Sequence, residues 1–376
     1  MERIGIFGGS FNPVHNEHIT LAKSVLSELN LDRLIVMPTY IAPHKSNLVP
    51  APAEDRLNML KLAFLGIDKV VVSDYEIEKK GTSYTYATVE HFKQTLDAQI
   101  YFLVGSDMLK DFKTWKYPQR ILSACTLATF GREGEQVDYQ KEQEYFKSTF
   151  NKEFVVLNSV GKKQSSTQIR VYNELGLGIT EKTDPKVANY ILEKGLYSGD
   201  KYSQFVKKVL PEKRLVHTAS VITCALEKAK ELGLDKEKVR ISAMLHDCAK
   251  YLDHNDYADF VLEADVPAPV VHAFLGAHIV QTKLGIQDEE IINAIRYHTS
   301  GRKNMSTLEK LIFVADMVEE GRDYQGVEYL RNLFYNDDFE KCFKECLSEE
   351  LTHLLNKKQY IYKETLNAYE YYLKRK

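Results

Sequence analysis

The chain has 376 residues, a length that points to two domains, and its 44% hydrophobic and 27% charged residues describe an ordinary globular protein. A formal net charge of -3 excludes broad electrostatic capture of nucleic acid or of an anionic membrane, while local clusters remain free to bind small anions. Five cysteines (Cys125, Cys224, Cys248, Cys342 and Cys346) lack metal-ligand spacing and fit a reducing compartment; with no basic-then-apolar leader and no apolar run of membrane length, the chain reads as cytoplasmic.

Taken in chain order, short apolar runs at 4–7, 34–37, 70–73, 99–104, 126–130 and 154–157 read as strands. Amphipathic stretches at 19–29, 54–65 and 86–96 read as helices between them. This alternation predicts crossover units around a parallel sheet with both faces covered. The highly charged segment 131–151 is expected to be a surface helix with loops inside that domain. Beyond Tyr197 the pattern changes. Ser198, Gly199 and Asp200 form a turn-like joint, and helical patterns at 212–232, 236–248, 269–284, 289–297 and 307–320, then a charged run, take over. The expected architecture is an α/β Rossmann-like domain with a parallel sheet over 1–197, followed by an all-α helical bundle over 200–376.

The first strand runs directly into GGSFNPVHNEH, where Gly8, Gly9 and Ser10 precede His15 and His18. A strand ending in glycines before a helix places backbone N–H groups and a helix N-terminus against phosphate. The spacing of Gly5, Gly8 and Gly9 does not make the GxGxxG fingerprint, which argues against hydride transfer. Two histidines three apart share one face of a helix start, so both imidazoles can meet one anion; the alternative is a surface turn with solvated rings. SSTQIR, with Ser166, Thr167 and Arg170, follows the last strand and reads as a second anion site or as an ordinary cap. PHK, ending at Lys45, follows strand two.

GIFGGSFNPVHNEH together with SSTQIR resembles the nucleotidyltransferase superfamily marked by HxGH and ISSTxIR motifs. PHK, SYTYAT, VGSD and Trp115 narrow the resemblance to bacterial nicotinate-mononucleotide adenylyltransferases over residues 1–197. That resemblance implies transfer of AMP from ATP to nicotinate mononucleotide, with Mg²⁺ accompanying the ATP. It implies that His15 and His18 hold the ATP phosphates through the transition state, and that Ser166, Thr167 and Arg170 grip the β,γ end. Gly105 and Asp107 would meet the adenosine ribose, Lys45 the mononucleotide phosphate, and Thr85 and Trp115 the pyridine ring. Two positions depart from the pattern: Glu17 stands for the usual Gly and Asn12 for the usual Asp. Glu17 brings a carboxylate beside a phosphate site, unfavourable unless it points away or helps to hold Mg²⁺.

In the second half His246-Asp247 closes the helical pattern ISAMLHDCAK, with His217 before it and His272, His298 and Asp316 after it. Imidazoles and carboxylates suit first-row transition metals, and a carboxylate beside a histidine can bridge two of them. Five such positions on five successive helices can converge inside a bundle. His278 falls on another face of its helix than His272, and His254 reads as polar loop. The pattern H…HD…H…H…D resembles the HD-domain phosphohydrolases, and RLVHTASV, AMLHDCAK, AIRYHTSGRKNM and FVADMVEEGR resemble those that split diadenosine tetraphosphate symmetrically. That resemblance implies a dinuclear centre of iron held by His217, His246, Asp247, His272, His298 and Asp316, with Asp247 and Lys250 at the reacting phosphate and Arg302 and Arg322 as further cations on the polyphosphate. Other readings keep the folds and change the substrates, to nicotinamide mononucleotide or another hydrolysed nucleotide, or make one domain a nucleotide sensor. The expected partners are small nucleotides and a second copy in a homo-oligomer, not nucleic acid or membrane.

Overall fold

A computed structural model describes residues 1–42, 50–132, 137–161, 164–263 and 265–374. The chain divides into two compact units. The first comprises Met1–Arg170 and Gly178–Tyr197, the second Val171–Leu177 and Ser198–Lys376.

The first unit is built on six strands: β1 (Glu2–Gly9), β2 (Arg33–Pro38), β3 (Val70–Val72), β4 (Ala98–Gly105), β5 (Thr126–Arg132) and β6 (Val155–Gly161). All pair in parallel, in the order β3-β2-β1-β4-β5-β6. The expected α/β class with a parallel sheet is therefore what the chain forms. The central strands carry uninterrupted buried runs, Ile4–Phe7 in β1 and the last six residues of β4. That is the signature of strands covered on both faces rather than on one. The charged stretch after β5 contains the helix Tyr139–Phe150, whose single buried residue, Phe146, packs on Phe112, Phe150 and Phe154. One ring anchors it while its other faces stay in water.

Among its described residues the second unit contains helices and no strand. Its principal helices are Glu212–Ala229, Lys236–Leu245, Ala268–Thr282, Glu289–Arg296, Thr307–Val318 and Phe339–Asn356. They enclose the unit's main apolar core, to which Val171, Leu175 and Leu177 also belong. A nine-residue helix, Lys201–Val209, precedes the first helix expected here, and Asp200 caps it by accepting from the N–H groups of Tyr202 and Ser203. The turn-like joint is thus partly a helix cap, which the Asp at that position signals. No helix among the described residues is long and apolar enough to cross a membrane.

One buried cation organises the C-terminal edge of the first sheet. Arg56, 2% exposed on the helix Ala53–Ala63, donates to four carbonyl oxygens: Ala51 (3.0 Å), Ser10 (2.9 Å), Thr39 (2.6 Å) and Tyr40 (3.1 Å). It joins the loop after β1 to the end of β2. Charge-assisted bonds to carbonyls offset part of its desolvation, and burial still lowers its pKa. Arg56→Met leaves those carbonyls without this donor, and we expect the first unit to lose about 2–4 kcal/mol. Denaturant unfolding followed by fluorescence of Trp115, the chain's one tryptophan, measures that unit alone; an unchanged midpoint refutes the role.

Candidate active sites

In the first unit β1 and β4 pair as far as Ile6 and Phe102, yet each strand runs on, to Gly9 and Gly105. The divergence lies where the strand order reverses, which opens a ligand crevice at the carboxyl ends of the strands. Gly8, Gly9 and Ser10 are half-buried there, Gly105 is buried and Asp107 exposed.

The loop beyond β1 is secured carbonyl by carbonyl. Besides Arg56 on Ser10, Arg170 Nη1 donates to Asn12 O (2.7 Å), Ser166 Oγ to Pro13 O (2.8 Å) and Thr183 Oγ1 to Val14 O (2.8 Å). Asn12 Oδ1 accepts from Ala51 N–H (3.0 Å) and from the Tyr197 hydroxyl (2.7 Å). Held in this way, the loop delivers His15 to the N-cap of the helix Asn16–Glu28. The His15 and His18 rings stack with centroids 3.6 Å apart, and Phe11 meets His18 edge-on at 4.9 Å. His15 N–H donates to His18 Nδ1 at 3.1 Å, so a neutral His18 carries its proton on Nε2. Glu17 is half-buried in the helix's first turn.

The remaining expected residues of this unit are more dispersed. Thr167 Oγ1 accepts from Arg170 Nη2 (3.0 Å), Thr85 opens the helix Thr85–Thr95, and Trp115 is packed in the core against Phe112 and Phe102. Lys45 lies outside the described residues. Arg56, Thr183 and Tyr197 were not singled out from the sequence. Of these only Arg56 left a signal, a charge on the same helix face as Met59, Leu60 and Ala63.

The second unit brings six histidine and aspartate residues, from five separate segments of the chain, to one centre. Asp247, 2% exposed, is shared by two groups: His217 and His246 on one side, His272 and His298 on the other. Its Oδ2 lies 3.9 Å from His217 Nε2 and 3.7 Å from His246 Nε2, and its Oδ1 lies 3.0 Å from His272 Nε2 and 3.5 Å from His298 Nε2. Asp316 Oδ1 is 3.0 Å from His217 Nε2. The outward nitrogens of three rings are committed elsewhere: His246 Nδ1 to Ala243 O (2.7 Å), His298 Nδ1 to Ile295 O (2.7 Å) and His217 Nδ1 to Glu319 Oε1 (3.1 Å). Each of these bonds places the ring proton on Nδ1 and turns the Nε2 lone pair inward. Lone pairs and carboxylate oxygens facing one another, with the protons directed away, form a donor set that fits divalent metal.

Cations and anions frame this centre. Arg214 Nη1 donates to Asp247 Oδ2 at 2.8 Å, Lys250 Nζ lies 3.1 Å from His272 Nε2, and Arg322 pairs with Asp316. Arg302 is instead held by Glu309 through two bonds (2.7 and 2.8 Å). Thr299 Oγ1 stands 3.0 Å from His298 Nε2. Burial opposes ionisation of Asp247, but the imidazoles of His246, His272 and His298 around it hold it well below the usual carboxylate range. Burial also opposes ionisation of Asp316, and there His217 and Arg322 prevail. Burial pushes His246 down to about 3 and lowers His272, whereas for His217 the bonds to Asp316 and Glu319 outweigh burial and raise its pKa. Arg214, Thr299 and Glu319 were not anticipated; Arg214 lies three residues before His217 and Glu319 three after Asp316, on the ligand-bearing faces. His278 pairs with Asp259 and His254 with Asp253, away from the cluster.

Residues 6–171 match the cytidylyltransferase-like family and residues 214–321 the HD domain family. The chain is 30% identical to a probable nicotinate-nucleotide adenylyltransferase/Ap4A hydrolase of Mycoplasma genitalium over 85% of its own length and 88% of the relative. It is 37% identical to a probable nicotinate-nucleotide adenylyltransferase of Clostridium tetani, over 52% of this chain and 100% of that one. A solved structure from Clostridium acetobutylicum, described as a predicted HD superfamily hydrolase involved in NAD metabolism, aligns with 31% identity and a TM-score of 0.43, over 47% of this chain and 97% of that one.

An imidazole with a depressed pKa resists protonation in the fold, so its contribution to stability falls as pH drops from the unfolded value, about 6.5, towards the folded one. For His246 that window runs down to about 3, and His272 acts with the same sign while His217 opposes it. The metal-free second unit is therefore expected to unfold at lower urea concentration as pH falls through this range, and His246→Asn to flatten the dependence. The measurement is the circular-dichroism transition that Trp115 fluorescence does not share; an equally steep dependence in the variant contradicts it.

Proposed function

Since the chain belongs to the nicotinate-nucleotide adenylyltransferase family, in its form with an appended HD domain, we propose that it is a bifunctional enzyme of nucleotide metabolism. The first unit joins ATP and nicotinate mononucleotide into the deamido dinucleotide and pyrophosphate. The second hydrolyses diadenosine tetraphosphate to two ADP. The observation that carries the first assignment is the stacked His15–His18 pair at the helix N-terminus beside the crevice. For the second it is the buried Asp247 carboxylate shared by two imidazole pairs.

In the first reaction a mononucleotide phosphate oxygen attacks the ATP α-phosphorus in line, and pyrophosphate leaves. The protein's contribution is position and charge. His15 and His18 meet the phosphates from one helix face, with Mg²⁺ arriving on ATP. Gly8, Gly9 and Ser10 let the backbone approach, Gly105 and Asp107 take the ribose, and Lys45 and Thr85 serve the acceptor, with Trp115 as the aromatic anchor behind it. Ser166, Thr167 and Arg170 act at the phosphate end while also holding the loop that carries His15.

In the second reaction His217, His246, Asp247 and Asp316 would hold one metal ion, and Asp247, His272 and His298 another, with iron or manganese as the proposed identity. Bound metal supplies Lewis acidity towards phosphate and lowers the pKa of water at the site. The chain's own groups do the rest. Lys250, part-exposed at the rim, turns its ammonium to the polyphosphate, while Arg214 and Arg322 keep Asp247 and Asp316 ionised and oriented. Arg302 is committed to Glu309.

Each assignment has its own test. Incubation with ATP and nicotinate or nicotinamide mononucleotide, and separately with diadenosine tetraphosphate, identifies the products. His246→Ala is expected to reduce tetraphosphate cleavage at least about 1,000-fold while leaving dinucleotide synthesis intact, and His18→Ala to reduce synthesis about 100-fold or more while sparing cleavage. Loss of both activities in either variant contradicts two independent centres.

A further inference from the structure

The two halves of the HD cluster are built unequally. Around His217 and His246 stand Asp247 Oδ2, Asp316 Oδ1 and, behind His217, the 2%-exposed Glu319, whose other oxygen accepts from Gly321 N–H at 2.6 Å. Two guanidinium groups, Arg214 and Arg322, answer these three carboxylates. Around His272 and His298 the one carboxylate oxygen among the described residues is the other oxygen of the same Asp247, with the neutral Thr299 hydroxyl beside both rings. His298 Nδ1 leans on a neutral carbonyl, and Lys250 Nζ occupies the mouth, 3.1 Å from His272 Nε2 and 3.6 Å from Asp247 Oδ1.

A nitrogen lone pair serves one partner at a time. A cation ligated by His272 therefore has to displace the ammonium, and until it does so it meets a like charge at close range. Lys250 has somewhere to go: its side chain is 35% exposed, against 3% for Asp247. Resting on the dinuclear reading above, we propose that the cluster loads in order. One cation binds tightly among His217, His246, Asp247 and Asp316. A second binds weakly among Asp247, His272 and His298, and only as Lys250 gives up His272. The released ammonium is then free to meet a phosphate of the entering dinucleotide, so occupancy of the weak half and substrate binding support each other.

The test is titration of the metal-stripped, full-length chain with Mn²⁺, followed by calorimetry and by the paramagnetic resonance of free Mn²⁺. Wild type is expected to take up two equivalents whose Kd values differ by at least about tenfold. Lys250→Met should tighten the weaker equivalent by about tenfold, a direction that simple loss of structure does not produce. Glu319→Gln keeps an acceptor for His217 but removes the charge, and should weaken the tight equivalent about tenfold or more while leaving the other unchanged. His272→Ala should abolish the weak equivalent alone; if that variant does not fold, the part-exposed Lys250→Met carries the test. Two equal sites, loss of the tight site with His272, or an unchanged or weakened second site in Lys250→Met overturns ordered loading. Failure of the folded wild type to bind Mn²⁺ overturns the dinuclear reading beneath it.

Discussion

A buried carboxylate is costly unless its charge is answered at every oxygen. Asp247 meets that requirement at Oδ2, where Arg214 from Glu212–Ala229 donates, while its buried Oδ1, facing His272 from Ala268–Thr282 and His298 just beyond Glu289–Arg296, has no hydrogen-bond donor among the described residues and is left for a cation. Each partner holds a helix against the others, so the ionic centre and the helical packing depend on each other. The ring hydrogen bonds from His246 and His298 to carbonyls three residues back repeat one local device. They turn the Nε2 lone pairs inward, towards Asp247, an arrangement suited to cation binding.

The first unit solves a related problem with backbone in place of carboxylate. A loop at the mouth of a parallel sheet carries carbonyls that no ladder satisfies. Arg56, Arg170, Ser166 and Thr183 supply donors to the carbonyls of Ser10, Asn12, Pro13 and Val14. Ser166 and Arg170 thus have a structural duty besides the phosphate role their motif implies. Asn12 also acquires a reason: its amide oxygen accepts from both Ala51 and Tyr197. A carboxylate there accepts equally well, so this departure from the usual Asp leaves the loop's geometry supported.

Much of the fold was legible beforehand because each unit repeats one periodicity. Apolar runs of strand length, alternating with amphipathic stretches, were enough for the parallel sheet, and their absence after Tyr197 for the helical half. What was missed is short or capped by polar residues, such as Lys201–Val209, whose Asp200 cap resembled a turn. In the helical half, the residues proposed as ligands could be listed from their types and order. Arg214 and Glu319 could not, because an arginine one turn from a histidine, or a glutamate one turn from an aspartate, is common on any solvated helix.

The sequence by itself determined the order of elements, the placing of His15 and His18 on one helix face, and the set of histidines and aspartates able to reach a common centre. These follow from periodicity and side-chain chemistry within single elements. Tertiary structure alone decided that Asp247 divides its two oxygens between two imidazole pairs, that Glu319 stands behind His217, and that Arg56 holds the loop after β1. Those partners lie far apart along the chain, 102 residues for His217 and Glu319 and 46 for Arg56 and Ser10. Spacing fixes which way a side chain faces on its own helix, but only the packing of one element on another sets what it meets.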